Sequence, residues 1–130
     1  MSVTNWKERA AQLKLNGQAF INGRRVDAVS GATFDCISPC NGQKLTDVAR
    51  CDKADVDIAV KAAREAFEDG RWSHLSPRKR KEILIRFADL IVECKNELAL
   101  TETLDMGKPI SNALAVDVAV LDMKMPGTAA

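Results

Sequence analysis

Val56, Ala59, Val60, Ala63, Ala66 and Phe67 recur at offsets i, i+3, i+4, i+7, i+10 and i+11. That is one face of a 3.6-residue period, so the segment predicts an amphipathic helix that must bury its stripe against another layer. Asp52 stands where an N-cap belongs and Gly70 where such a helix would stop. A second periodic run follows. Ser76-Pro77 offers a favoured N-cap and a proline at the first helical position. Ile83, Phe87, Leu90, Ile91, Cys94 and Leu98 then mark the apolar stripe of one long helix. On its exposed side, Glu82 and Arg86 are spaced for an i,i+4 ion pair. Gly107-Lys108-Pro109 breaks the pattern, and a last helical stretch begins at Ile110.

Upstream the period differs. Residues 4–15 have helix-forming composition but only a weak stripe of Trp6, Ala10 and Leu13. Asn22-Gly23 then separates two short strand-like runs, and both residues tolerate the positive φ of a tight hairpin turn. Further turns at Ser30-Gly31 and at Pro39, Asn41 and Gly42 bound strands over residues 33–38 and 44–49. The expected fold is therefore α+β: an N-terminal β meander followed by two or three long helices. The meander alone lacks the apolar faces to close a core.

Composition narrows the function classes. With 130 residues there is room for one domain at most. The charge is nearly balanced, 19 basic against 18 acidic, which predicts no nucleic-acid partner. The basic run Arg78-Lys79-Arg80-Lys81 is cut at once by Glu82 and reads as a solvated helix start. No apolar run is long enough for a membrane span, and the N-terminus has no signal-peptide core, so a cytoplasmic location is expected. Cys36, Cys40, Cys51 and Cys94 form no CxxC pair and suit free thiols in a reducing compartment. A zinc site from Cys36, Cys40 and the lone His74 falls short of four ligands.

Little catalytic chemistry is legible. The chain contains neither GxGxxG nor GxxxxGK[ST]. His74, beside Trp72, reads as a surface or packing residue. Cys94 lies on the apolar stripe and reads as core, because a catalytic thiol needs an open, electropositive setting. Glu97, Glu102 and Asp105 are close in sequence, and Glu102 and Asp105, three apart, can share a helix face, where such pairs are mostly solvated.

Several ordered segments carry a resemblance. They are Phe20-Ile21-Asn22-Gly23, Ser30-Gly31-Ala32-Thr33-Phe34, and Ser38-Pro39 with Gly42. Asp55-Val56-Asp57 and Ala62-Ala63-Arg64-Glu65-Ala66-Phe67 follow, then Ala88-Asp89-Leu90 and Glu97-Leu98-Ala99. The most specific is Glu102-Thr103-Leu104-Asp105-Met106-Gly107-Lys108-Pro109. Together, over about residues 17–118, they resemble the N-terminal segment of aldehyde dehydrogenases, in texture nearest to those acting on γ-glutamyl-aminobutyraldehyde and related amino-aldehydes of polyamine breakdown.

That resemblance implies an NAD(P)-dependent enzyme several times longer than this chain, forming homodimers or homotetramers. In it a cysteine thiolate attacks the aldehyde, hydride passes to NAD or NADP, and a glutamate-activated water releases the acid. It implies that residues 1–130 are the N-terminal part of a Rossmann-like α/β NAD-binding domain, without the catalytic domain. No catalytic and no cofactor-binding residue is assigned here, and the chain alone is expected to be inactive. One family site does reach this segment. A Na+ or K+ site would use the backbone carbonyls of Cys36 and Ile37 and the carboxylate of Asp105, with a further ligand from beyond the chain. The competing reading of Asp105 is a local cap or pair. Residues 119–130 depart from the family pattern, as if the seven residues Ala119–Met125 were inserted before Pro126-Gly127. The tail also resembles the phosphoacceptor strand of receiver domains, with Asp122 as acceptor. The alternative to a dehydrogenase segment is a non-enzymatic interaction module that docks through exposed helix faces.

Overall fold

The structure is a computed structural model and describes residues 5–117. The tail features of residues 119–130 lie outside the described residues. The chain begins with a short helix, α1 (Trp6–Gln12), whose N-cap Asn5 accepts a bond from the Glu8 amide at 3.3 Å. Strands β1 (Ala19–Ile21) and β2 (Arg24–Val26) pair antiparallel around Asn22-Gly23. Both turn residues have positive φ, 50° and 76°, as a turn matching strand twist requires. Strands β3 (Thr33–Ile37) and β4 (Lys44–Ala49) form a second hairpin, with a register shift between Cys36 and Ile37.

The expected single meander is thus two separate hairpins. Residues 27–32 do not continue the ladder. Gly31 donates to the Ala28 carbonyl at 2.8 Å, and the Val29 amide is taken by the Asp55 carboxylate. The segment before β1 supplies the missing pairing instead. Gly17 forms a parallel bridge with Val48, and its carbonyl accepts from the Ala49 amide at 2.8 Å. A side chain at Gly17 would run into the Asp47 carbonyl, so only glycine permits this approach.

Helix α2 (Lys53–Glu68) starts with a capping box. Asp52 accepts from the Ala54 amide, and Asp55 accepts from the Asp52 amide at 2.9 Å. The other oxygen of Asp55 receives the Val29 amide at 2.8 Å. One buried carboxylate therefore starts the helix and pins it to the turn after β2. The inward face of α2 is Asp55, Ala59, Ala62 and Ala66, set against β1. The predicted stripe is split. Its alanines Ala59 and Ala66 are half-buried, while Val56, Val60 and Phe67, about 100° round the helix, are exposed.

Helix α3 (Pro77–Glu93) begins as the sequence predicts, with Ser76 accepting from the Lys79 amide at 3.3 Å and Pro77 in the first turn. It does not continue as one helix. The chain leaves helical geometry at Cys94 (φ −92°, ψ 4°), and α4 (Lys95–Met106) starts anew. The expected Glu82–Arg86 pair is also absent among the described contacts. Glu82 binds Arg78 and Lys79, and Arg86 reaches two turns on to Glu93 at 3.0 Å. Gly107, left-handed at φ 71°, caps α4 and donates to the Thr103 carbonyl. A three-residue turn of helix, α5 (Ile110–Asn112), runs into a π-helical turn at Ala113–Asp117.

The core is small and sits where α3 ends. Ile91, Ala99 and Ala113 are buried together, with Ile110 and Leu114 against them. The long-helix stripe expected to be buried is largely open: Ile83, Phe87, Leu90, Cys94 and Leu98 are all exposed. α4 instead packs on the turn at Ala113–Asp117 and on α1.

The two amide bonds to Asp55 hold its pKa below the ordinary carboxylate value. A depressed folded-state pKa contributes stability that is fully present above the unfolded value, near 3.9, and is lost as pH falls through the folded one. Urea midpoints of the wild type and Asp55→Asn should therefore differ most above about pH 5 and converge in acid. A gap unchanged down to low pH would reject the carboxylate's role.

Candidate functional site

The residues singled out for a cation site come from two elements far apart in sequence. Cys36 and Ile37 end β3, on either side of its irregularity. Asp105 lies in the last turn of α4. The loop between β3 and β4 brings them together. Its tip is a tight turn in which Ser38 donates to Gln43 and Gly42 donates back to Ser38. Pro39 and Cys40 rest on Gly107, the glycine that caps α4, where a side chain would press on the Pro39 ring. With the loop seated on that cap, the Cys36 thiol donates to Asp105 Oδ1 at 3.2 Å.

This contact has a chemical consequence. The Asp105 carboxylate accepts from the thiol, and that bond, followed by desolvation and the carboxylate's charge, raises the Cys36 pKa. Cys36 is thus kept as a thiol, the reverse of an activated nucleophile. Cys51 is likewise pushed up, first by desolvation and then by the charges of Asp55 and Asp52. Cys40 and Cys94 are exposed free thiols. The expectation that Cys94 is core is corrected: the helix ends there, and its residue turns outward as the C-cap.

Around Cys36 and Asp105 lies a groove of about 400 Å3, lined also by Glu97, Thr101, Thr46 and Arg25. Glu97, Thr101 and Asp105 are four residues apart, so α4 turns them to one side, and Thr101 Oγ1 donates to the Glu97 carbonyl at 2.9 Å. Of the three acidic residues Glu97, Glu102 and Asp105 that lie close in sequence, it is Glu97 and not Glu102 that lines the groove with Asp105, and the i, i+4, i+8 spacing that joins them through Thr101 was there to be read.

The zinc alternative is not assembled. Cys40 sits on Gly107, while His74 sits on Gly70, and among the described residues no three His, Cys, Asp or Glu side chains converge. His74 is an exposed residue in the linker between α2 and α3, its ring lying over Gly70. Its amide donates to the Gly70 carbonyl, and its ring occupies the space a side chain at Gly70 would need. No described helix is long and apolar enough to cross a membrane.

The ordered motifs, the two hairpins and the α4 cap with its Asp105 can now be set beside known proteins. The chain matches the aldehyde dehydrogenase family over residues 26–124 and belongs to that family. It is 48% identical over 109 residues to an aminoacetaldehyde dehydrogenase of Pseudomonas aeruginosa, covering 84% of this chain and 22% of that protein. It is 42% identical over 113 residues to the NADP/NAD-dependent aldehyde dehydrogenase PuuC of Escherichia coli, covering 87% of this chain and 23% of that one. Its fold superposes with a TM-score of 0.88 on an indole-3-acetaldehyde dehydrogenase of P. syringae solved with NAD+, at 53% identity, over 91% of this chain and 25% of that chain. A γ-glutamyl-γ-aminobutyraldehyde dehydrogenase of Burkholderia cenocepacia gives a TM-score of 0.87 at 51% identity, over 88% and 23%. The chain thus spans about a quarter of the length of the solved relatives it matches.

Alkylation tests the thiol–carboxylate contact. At about pH 8.5, Cys36 should react with iodoacetamide more slowly than Cys40, and Asp105→Asn should speed Cys36 alone. Equal rates at Cys36 before and after the substitution would remove the contact from the account.

Proposed function

We propose that this chain is the N-terminal part of the NAD-binding domain of an NAD(P)-dependent aldehyde dehydrogenase whose substrate is an amino-aldehyde, as in polyamine breakdown. The observation that carries the reading is the family match over residues 26–124, joined to close relatives named for amino-aldehydes. The segment's own residues support it by what they supply, which is scaffold. The thiols of Cys36 and Cys51 are raised rather than activated, and no phosphate-binding glycine motif is present in the sequence. Covalent attack on the aldehyde, hydride transfer to NAD or NADP, and hydrolysis fall to the catalytic domain. On this reading the enzyme is cytoplasmic and forms homodimers or homotetramers, and residues 119–130 are an atypical tail on the segment.

We place a Na+ or K+ at the carbonyls of Cys36 and Ile37 and the Asp105 carboxylate. The chemistry of the donor set fits, since oxygen ligands suit a hard cation. The geometry supports it in one respect: α4 delivers the Asp105 carboxylate to the end of β3, within hydrogen-bond reach of Cys36. The cation would neutralise Asp105 and tie α4 to β3.

Two experiments test these readings. The purified chain, given an amino-aldehyde and NAD+, should form no NADH. A chimera of the P. aeruginosa aminoacetaldehyde dehydrogenase carrying residues 17–117 of this chain in place of its own should retain oxidation, and an inactive but folded chimera would refute the assignment. In that chimera, added KCl should raise the melting temperature and Asp105→Ala should abolish the increase. A melting temperature indifferent to K+ would dispose of the cation site.

A further inference from the structure

Helix α3 carries its charges against its own dipole. Arg78, Lys79, Arg80 and Lys81 begin the helix, where the dipole is already positive, and its first turn holds no acidic residue. Glu82 answers only Arg78 and Lys79. Glu93 closes the last turn, at the negative end, with Asp89 before it and no basic residue in that turn. The helix is also poorly covered: of its 17 residues only Ile91 is buried. Ile83, Phe87, Leu90 and the C-cap Cys94 recur at spacings of four, three and four, the seam of a two-helix coil. All four are exposed, Phe87 at 60%. At about 100° per residue, Lys79 and Arg80 flank the start of the seam and Glu93 its end, while Ile85 and Val92 lie on the opposite side of the helix.

We propose that α3 pairs with α3 of a second copy of this chain, antiparallel, along the Ile83–Phe87–Leu90–Cys94 seam. Charge selects both the occupant and the direction. An antiparallel partner lays the basic start of each helix beside the acidic, dipole-negative end of the other, which relieves both mismatches. A parallel partner would set like charges side by side. The chain as a whole is nearly neutral, 19 basic residues against 18 acidic, so two copies repel little. Area agrees. Ile83, Leu84, Phe87 and Leu90, with the carbon stems of Lys79 and Arg80, offer on the order of 500 Å2 per copy. The pair then buries about 1,000 Å2 in all, the size at which a specific interface begins. The contact is isologous: a twofold axis through the middle of the seam sets Phe87 against the partner's Leu90 and Ile83 against the partner's Cys94. The pairing is a property of this chain by itself and does not rest on the enzymatic reading.

Sedimentation velocity of the chain at rising concentration reads the association. A monomer–dimer equilibrium is expected. Phe87→Glu, at an exposed position outside the buried cluster, should weaken it at least about tenfold while leaving the circular dichroism unchanged. In Ile83→Cys, glutathione disulfide should oxidise the new thiol and the partner's Cys94 to an intermolecular disulfide, itself being reduced to glutathione. Peptide mapping should find that bond between positions 83 and 94. A chain that stays monomeric, or association that Phe87→Glu leaves unchanged, would overturn the proposal. Crosslinks joining 83 to 83 or 94 to 94 would do the same, because they mark a parallel pair. Assemblies that grow beyond a dimer would equally sink it, since a twofold contact closes on itself.

Discussion

The Asp55 carboxylate is the joint on which the arrangement of this segment depends. Two backbone amides from different elements, those of Asp52 and Val29, point at its two oxygens. A charged group can be buried when such donors surround it, and it then costs more to disturb than an exposed ion pair. Through it the N-terminus of α2 is fixed to the turn after β2, which sets the alanine face of α2 on β1. The salt bridges of Lys44, Lys53 and Arg78, by contrast, are between solvated side chains and decide little.

Close approach is the second organising fact, and glycine and alanine provide it. Gly17 lets the segment before β1 bridge to Val48 of β4, Gly107 lets the Pro39–Cys40 loop rest on the end of α4, and the alanines of α2 let a helix lie on a two-stranded hairpin. None of these contacts buries much apolar area. The buried cluster of Ile91, Ala99 and Ala113 is correspondingly modest, and large side chains such as Phe67 and Phe87 remain in solvent. A segment built this way is held in shape by backbone bonds and caps more than by a core of its own.

The contact between Cys36 and Asp105 shows how such a segment aligns groups that are far apart in sequence. The Gly107 cap and the loop tip align a carboxylate on α4 with the end of β3. The outcome is a protonated thiol and a carboxylate at the rim of a groove. The Cys36 thiol is thereby held back from the thiolate form rather than activated.

By itself the sequence determined the local structure. The Asn22-Gly23 hairpin, the strand at residues 44–49, the Asp52 and Ser76 caps and the stop at Gly107 follow from φ preferences and side-chain hydrogen bonding within a few residues. The family was legible too, because its ordered motifs are short and local. Only the tertiary structure decided what those elements touch. A period of 3.6 marks apolar positions but does not say which of two adjacent faces turns inward, and α2 turned in its alanines. The predicted long helix breaks at Cys94, and the second half, α4, packs on the turn at Ala113–Asp117. The family resemblance already put Cys36 near Asp105, but the bond from the Cys36 thiol to that carboxylate, across 69 residues, is one that no local rule reaches. Long-range contacts depend on which surfaces meet, and surfaces exist only once the chain has folded.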